Sequence, residues 1–225
     1  VSTTAGRDVH DLAGLALRRN PRRAHLLVSP VLGKHVPVDP RASIAAGDDL
    51  AALVAPLLGP GTRSLVIGYA ETATGLGHVV ARALAAPYLH STRRPAGGPQ
   101  LLGFTEAHSH AQEHRLLPRD PRVLEQVDAV VLVDDELSTG RTALATVRAL
   151  HAVHPVRRYV VAALLDLRDD EARQAGDDLA AELGTSIDVV GLAQGRVELP
   201  DGLPAAAAEV LAALPAPRVP AAPRG

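Results

Sequence analysis

Two adjacent carboxylates, Asp134 and Asp135, follow the apolar run Ala129–Val133. Glu136 comes next, and then a stretch of small and hydroxyl-bearing residues, Leu137-Ser138-Thr139-Gly140-Arg141-Thr142. Paired carboxylates suit a diol, because each can accept a hydrogen bond from one sugar hydroxyl. The stretch after them suits a phosphate. Ser138, Thr139 and Thr142 bring hydroxyl donors, and Gly140 allows close approach of the backbone. The helix expected from about Arg141 to Val153 begins with N–H groups at the positive end of its dipole. A phosphorylated sugar with vicinal hydroxyls satisfies both halves, whereas an ordinary strand-to-helix turn requires neither.

These residues need a strand before them and a helix after them, and the pattern supplies both. Short apolar runs predict strands over His25–Val28, Ser64–Ile67, Pro87–Ser91, Ala129–Val133, Tyr159–Leu165 and Ile187–Leu192. Helices are predicted over Leu12–Leu17, from Asp48 or Asp49 to Leu58, after Gly75 to Leu84, from Arg141 to Val153, and from Asp169 to Leu183. Strand and helix alternate, so the expected class is α/β: a Rossmann-like, mostly parallel sheet with helices on both faces. Ligands bind such sheets at the carboxyl ends of the strands. The segment from Thr92 to about Pro121 is polar and broken by Pro95, Gly97, Gly98, Pro99 and Pro118, and reads as one long loop. The expected organisation is an N-terminal arm over 1–24 with a flexible start at Val1–Asp8. An α/β domain over 25–200 and an Ala/Pro-rich, partly disordered tail over 201–225 follow.

The 225 residues suit one such domain, and at 47 % apolar they can fill its core. The only aromatics are Tyr69, Tyr88, Tyr159 and Phe104, so the core is built from Ala, Val and Leu and few rings exist to stack on a base. A net charge of −2 argues against nucleic-acid binding. The absence of cysteine excludes disulfides and cysteine-held zinc. No basic-then-apolar leader and no apolar run of spanning length stand out, so a soluble cytoplasmic protein without membrane contact is expected.

The segment Asp134-Asp135-Glu136-Leu137-Ser138-Thr139-Gly140-Arg141-Thr142 resembles the ligand motif of type I phosphoribosyltransferases, which bind 5-phosphoribosyl-1-pyrophosphate (PRPP). The resemblance implies that Asp134 and Asp135 hold the ribose 2- and 3-hydroxyls and that Leu137–Thr142 cradle the 5-phosphate. It implies Mg²⁺ as cofactor, bound mainly through PRPP and in part through Asp134 and Asp135. The turn Gly68–Gly75 falls where this family contacts pyrophosphate, so Tyr69, Ala70 and Thr72 are expected there, with Glu71 near the metal or the ribose. The Thr92–Pro121 segment falls where a mobile loop closes over PRPP, which gives Arg93, Arg94 and Arg115 to the leaving pyrophosphate.

Acceptor contacts are less sharply marked. Lys34, the only lysine, sits in Gly33-Lys34-His35 after an early strand, and Lys34 and His35 are candidate substrate contacts. His108, His110 and His114 invite a metal reading, but His108 and His110 would not share a helical face. Substrate or pyrophosphate contact is the preferred role for His108 and His110. Asp166 and Arg168 follow a strand at the ligand edge and are also candidate substrate contacts. The general base is open among Glu71, His35 and a loop histidine.

A narrower resemblance joins Gly33-Lys-His-Val-Pro37, Gly68-Tyr-Ala-Glu-Thr-Ala-Thr-Gly-Leu-Gly77, Glu106-Ala-His-Ser-His-Ala111 and Asp134–Gly140. Together they are similar to the phosphoribosyltransferase of bacterial tellurium-resistance-type biosynthetic clusters. The expected function is transfer of a 5-phosphoribosyl group from Mg-PRPP to an unidentified acceptor. The alternatives are a PRPP- or nucleotide-sensing regulator of the same fold, and an enzyme working from the product side. Homodimers are common among such folds, and pairing is a further expectation.

Overall fold

The computed structural model describes residues 2–17, 25–34, 36–94, 102–105, 113–198 and 200–214. His35, His108 and His110, which were expected to contact substrate, lie outside them, as does the end of the tail. In chain order the elements are β1 (Ser2–Gly6), α1 (Val9–Leu12), β2 (Gly14–Leu17), β3 (His25–Val28), α2 (Pro40–Leu58), β4 (Ser64–Gly68), α3 (Thr74–Ala83) and β5 (Tyr88–Thr92). Next come β6 (Leu102–Thr105), β7 (Glu113–Leu116), a single 3₁₀ turn at Val123–Gln126, β8 (Ala129–Leu137) and α4 (Arg141–Val153). The chain then forms β9 (Arg158–Asp166), α5 (Asp170–Leu183), β10 (Ser186–Arg196) and α6 (Leu203–Ala213). No helix among the described residues is long and apolar enough to cross a membrane.

Eight strands form one sheet in the order β1-β10-β9-β8-β4-β5-β7-β6, and β2 and β3 pair separately as an antiparallel ribbon. The five inner strands, β10 to β5, are parallel, while β1, β7 and β6 join antiparallel. The expected mostly parallel α/β class is what the chain adopts. Buried apolar runs explain the centre. All of β4, the first five residues of β8 and nearly all of β9 are shielded from solvent, as strands covered on both faces must be. From β4 the chain crosses to β5 on one side, and from β8 it crosses to β9 and β10 on the other. Crossovers of one hand then place α3 on one face and α4 and α5 on the other. α2 packs on α3, and α4 on α5.

Several local expectations are corrected. Leu12–Leu17 is not a helix: after the short α1 the chain extends as β2, because cross-strand pairing with Leu26 and Leu27 overrides the helical preference of Leu and Ala. Val1–Asp8 is not a loose start throughout, since Ser2–Gly6 pairs with Ala193–Arg196 of β10. α2 begins at Pro40 rather than near Asp48. Asp39 Oδ1 accepts from Arg41 N–H at 2.9 Å, and Pro40 occupies the first turn, where its missing N–H costs nothing. The Thr92–Pro121 stretch is not one loop: β6 and β7 form a hairpin that docks on β5 through Ser91 and Thr92.

Candidate active site

The crevice lies where the sheet reverses direction. β4 and β8 are neighbours, and their chains leave in opposite directions, so the turns after them diverge and leave a cleft at the carboxyl ends of the strands. The turn after β4 carries Tyr69–Ala73. The end of β8 and the loop behind it carry Asp134–Gly140. Gly68 pairs with Val133, and Tyr69 N–H donates to the Val133 carbonyl at 3.0 Å, which joins the two at their base.

Asp134, Asp135 and Glu136 stand on strand β8 itself rather than in the loop after it. β9 continues to Asp166, so Glu136 and Leu137 still find partners in Leu165 and Asp166. All three acids are half-buried. Asp135 N–H donates to Asp134 Oδ1 at 2.9 Å. Burial, the adjoining Asp135 carboxyl and then Glu136 push the Asp134 carboxyl well above the ordinary carboxylate range. A diol that donates hydrogen bonds to this pair, with a cation nearby, reverses that penalty.

Beyond Leu137 the loop is open. Ser138 and Arg141 are exposed, and Thr139, Gly140 and Thr142 are half-buried. Gly140 has a φ of +68°, which aims the chain into α4, and no side chain caps that helix. α3, the other helix opening at the crevice, also lacks a side-chain cap, whereas Asp39 caps α2 and Asp169 caps α5. Both helix starts at the cleft are thus left for an outside acceptor; α6, which follows β10, likewise starts without a side-chain cap.

A buried ion pair supports this loop from the next turn. Asp166, only 1 % exposed, accepts from Arg168 Nε at 2.9 Å and Nη2 at 3.0 Å and from Arg173 Nη1 at 3.0 Å. Burial opposes ionisation of Asp166, but the Arg168 and Arg173 guanidiniums outweigh it and hold the carboxyl below its ordinary value. Leu167 N–H donates to the Leu137 carbonyl at 2.9 Å, and the Arg168 stem lies 3.0 Å from where a Cβ on Gly140 would stand. Asp166 and Arg168, expected as substrate contacts, are engaged with each other beneath the loop between β8 and α4.

On the β4 side, Lys34 Nζ donates to Thr72 Oγ1 at 2.6 Å, which brings the lone lysine to the turn. Glu71 is exposed on that turn. Tyr69 is buried and lies beside Thr146 and within the field of Asp134, and burial pushes its phenol up. Its side chain is therefore a floor, and its amide is spent on Val133. The Ala70 amide donates to Ser91 Oγ at 2.9 Å. The Tyr69 and Ala70 amides are thus engaged within the protein, whereas Thr72 and Lys34 stand together at the turn. α3 can sit close to the turn because Gly77 faces Gly68: a Cβ on Gly77 would stand 2.9 Å from the Gly68 Cα. Arg93 and Arg94 follow β5 and are exposed. Ser91, Thr146 and Arg173, which sequence reasoning did not single out, join the site together with His114; Ser91, His114 and Thr146 share burial of a polar side chain, which only the fold reveals, and Arg173 joins through its hydrogen bond to Asp166.

The fold and the crevice define a phosphoribosyltransferase-type α/β protein. Among solved structures, adenine phosphoribosyltransferase from Rhodothermus marinus is similar at 18 % identity, covering 83 % of this chain and 96 % of that one with a TM-score of 0.55. The Giardia lamblia enzyme in complex with 9-deazaadenine gives 17 % identity, 84 % and 97 % coverage and a TM-score of 0.53. The Leishmania tarentolae enzyme gives 16 %, 81 % and 85 %, and 0.52. At these identities the likeness concerns the fold. No curated protein matches. A family model described as phosphoribosyl transferase matches residues 12–196, and the chain belongs to that family.

Proposed function

We propose that the chain transfers a 5-phosphoribosyl group from Mg-PRPP to an acceptor nucleophile and releases pyrophosphate, using the crevice between β4 and β8. One observation carries the reading: a paired carboxylate and an uncapped helix start lie one short loop apart at the reversal point of the sheet, in a chain of this family. Asp134 and Asp135 accept from the ribose hydroxyls. Ser138, Thr139 and Thr142 hydroxyls, with the amides from Leu137 to Thr142, take the 5-phosphate, and exposed Arg141 adds charge. Lys34, Thr72, Arg93 and Arg94 serve the pyrophosphate.

Among the described residues no cluster of three His, Cys, Asp or Glu could hold a metal by itself. The hard oxygens of Asp134 and Asp135 fit Mg²⁺ that keeps most of its ligands from PRPP and water. When bound, Mg²⁺ neutralises charge on the pyrophosphate. The protein's part is positional and electrostatic. The C1–oxygen bond to pyrophosphate breaks, the ring takes oxocarbenium character, and the acceptor's lone pair forms the new bond to C1. Cations around the departing oxygens favour the break, and Glu71 serves the metal or the ribose.

Tyr69 and Tyr159 are buried. An acceptor held by groups other than a stacked ring fits this composition, and the narrower likeness to tellurium-resistance-type clusters points to a biosynthetic acceptor rather than base salvage.

Replacing Asp134 and Asp135 together by Asn is expected to abolish Mg-PRPP binding in titration calorimetry while circular dichroism stays native. Unchanged affinity would overturn the site. Binding by the wild type without pyrophosphate release, with any acceptor in a bacterial metabolite extract, would instead favour a PRPP sensor.

A further inference from the structure

We propose that His114 is a positioning residue for the pyrophosphate half of the crevice, an inference that rests on the PRPP reading. His114 and Ser91 are buried, with 1 % and 0 % exposure. Arg93 Nε–H donates to His114 Nε2 at 3.1 Å. A guanidinium nitrogen only donates, so Nε2 carries a lone pair and the ring proton sits on Nδ1. Nδ1–H then donates to Ser91 Oγ at 3.0 Å, and the same oxygen accepts from Ala70 N–H at 2.9 Å. The Tyr69 ring meets the imidazole edge-on, with centroids 6.3 Å apart at 83°.

One line of hydrogen bonds thus runs from β7 through β5 to the turn after β4. It joins residues 70, 91, 93 and 114, which come from three separate stretches of the sequence. Burying Ser91 and His114 is costly unless their polar atoms are satisfied, and Ala70, Arg93 and each other satisfy them, so the set holds as a unit. Its two ends are the residues that matter for pyrophosphate. Anchoring the Ala70 amide sets the course of the backbone that presents Glu71 and Thr72. Anchoring Arg93 through Nε fixes the plane of its guanidinium and hence the direction of its terminal nitrogens. Ribose and 5-phosphate contacts lie on the β8 side and do not depend on this line.

The test separates the two halves of the ligand by calorimetry, with Mg-PRPP and ribose 5-phosphate as probes. His114→Leu breaks both links. His114→Asn keeps an N–H near the Nδ1 position, toward Ser91, and His114→Gln keeps an acceptor near Nε2, toward Arg93. Ser91→Ala cuts only the Ala70 link. His114→Leu is expected to weaken Mg-PRPP by about tenfold or more while ribose 5-phosphate binds as to wild type. The Asn, Gln and Ser91→Ala variants are expected to lose less. Unchanged PRPP affinity in His114→Leu would overturn the inference. So would a parallel fall for both probes in the Asn, Gln and Ser91→Ala variants, which marks a merely structural histidine. A wild-type protein that binds neither probe would sink the PRPP reading itself, and this inference with it.

Discussion

Asp134 carries an electrostatic penalty in the ligand-free crevice. Burial and the carboxyls of Asp135 and Glu136 raise its proton affinity in the folded chain. In the unfolded chain it ionises at the ordinary value. Between these two values the folded state binds the extra proton, so ligand-free stability falls as pH rises through that window and stays lower above it. Asp134→Asn removes the penalty. The expected outcome is a higher Tm for the ligand-free variant at pH 8, by roughly 2–4 °C for each kcal/mol relieved, with a smaller gap at pH 4. Scanning calorimetry at the two pH values checks it, alongside the loss of PRPP binding. The acids were legible in the sequence because two carboxylates beside a Ser-Thr-Gly run form a local pattern. Ser91 and His114 were not grouped, because a serine and a histidine on two strands acquire meaning only when β5 and β7 are side by side.

At the scale of elements, the loop between β8 and α4 depends on Gly140. Its φ of +68° is one that L residues rarely adopt, and a Cβ there would press on the Arg168 stem. Gly140→Ala is expected to cost about 1–3 kcal/mol in urea unfolding. It should weaken Mg-PRPP and ribose 5-phosphate alike, because both use the same loop. That common fall distinguishes it from the His114 variants. The bounds of α4 and α5 were readable from their Gly and Asp punctuation. The start of α2 was not, because Asp39-Pro40 reads equally as a loop breaker or as a cap with proline in the first turn. β8 ran four residues past its apolar run. Its extension is set by pairing with β9, a partner that residue pattern alone does not name.

For the whole molecule, alternation announced a parallel sheet but not the order of its strands, and the order is what creates the crevice. The edges were still less legible. β1 covers the outer side of β10, where Arg7 N–H also donates to the Leu192 carbonyl at 2.8 Å. Removing residues 1–8 bares that edge, and an unpaired strand edge invites association. A lower Tm and concentration-dependent light scattering are expected; a truncated chain that stays monodisperse with an unchanged Tm would contradict this role.

The depth of Tyr69 has a practical side. The chain has three tyrosines and no tryptophan, so its ultraviolet emission comes from phenols alone. One of those phenols lies within reach of the charge on Asp134. A sugar settling against the acid pair is expected to change the electric surroundings of that ring, and phenol emission followed during titration with Mg-PRPP checks it without a label.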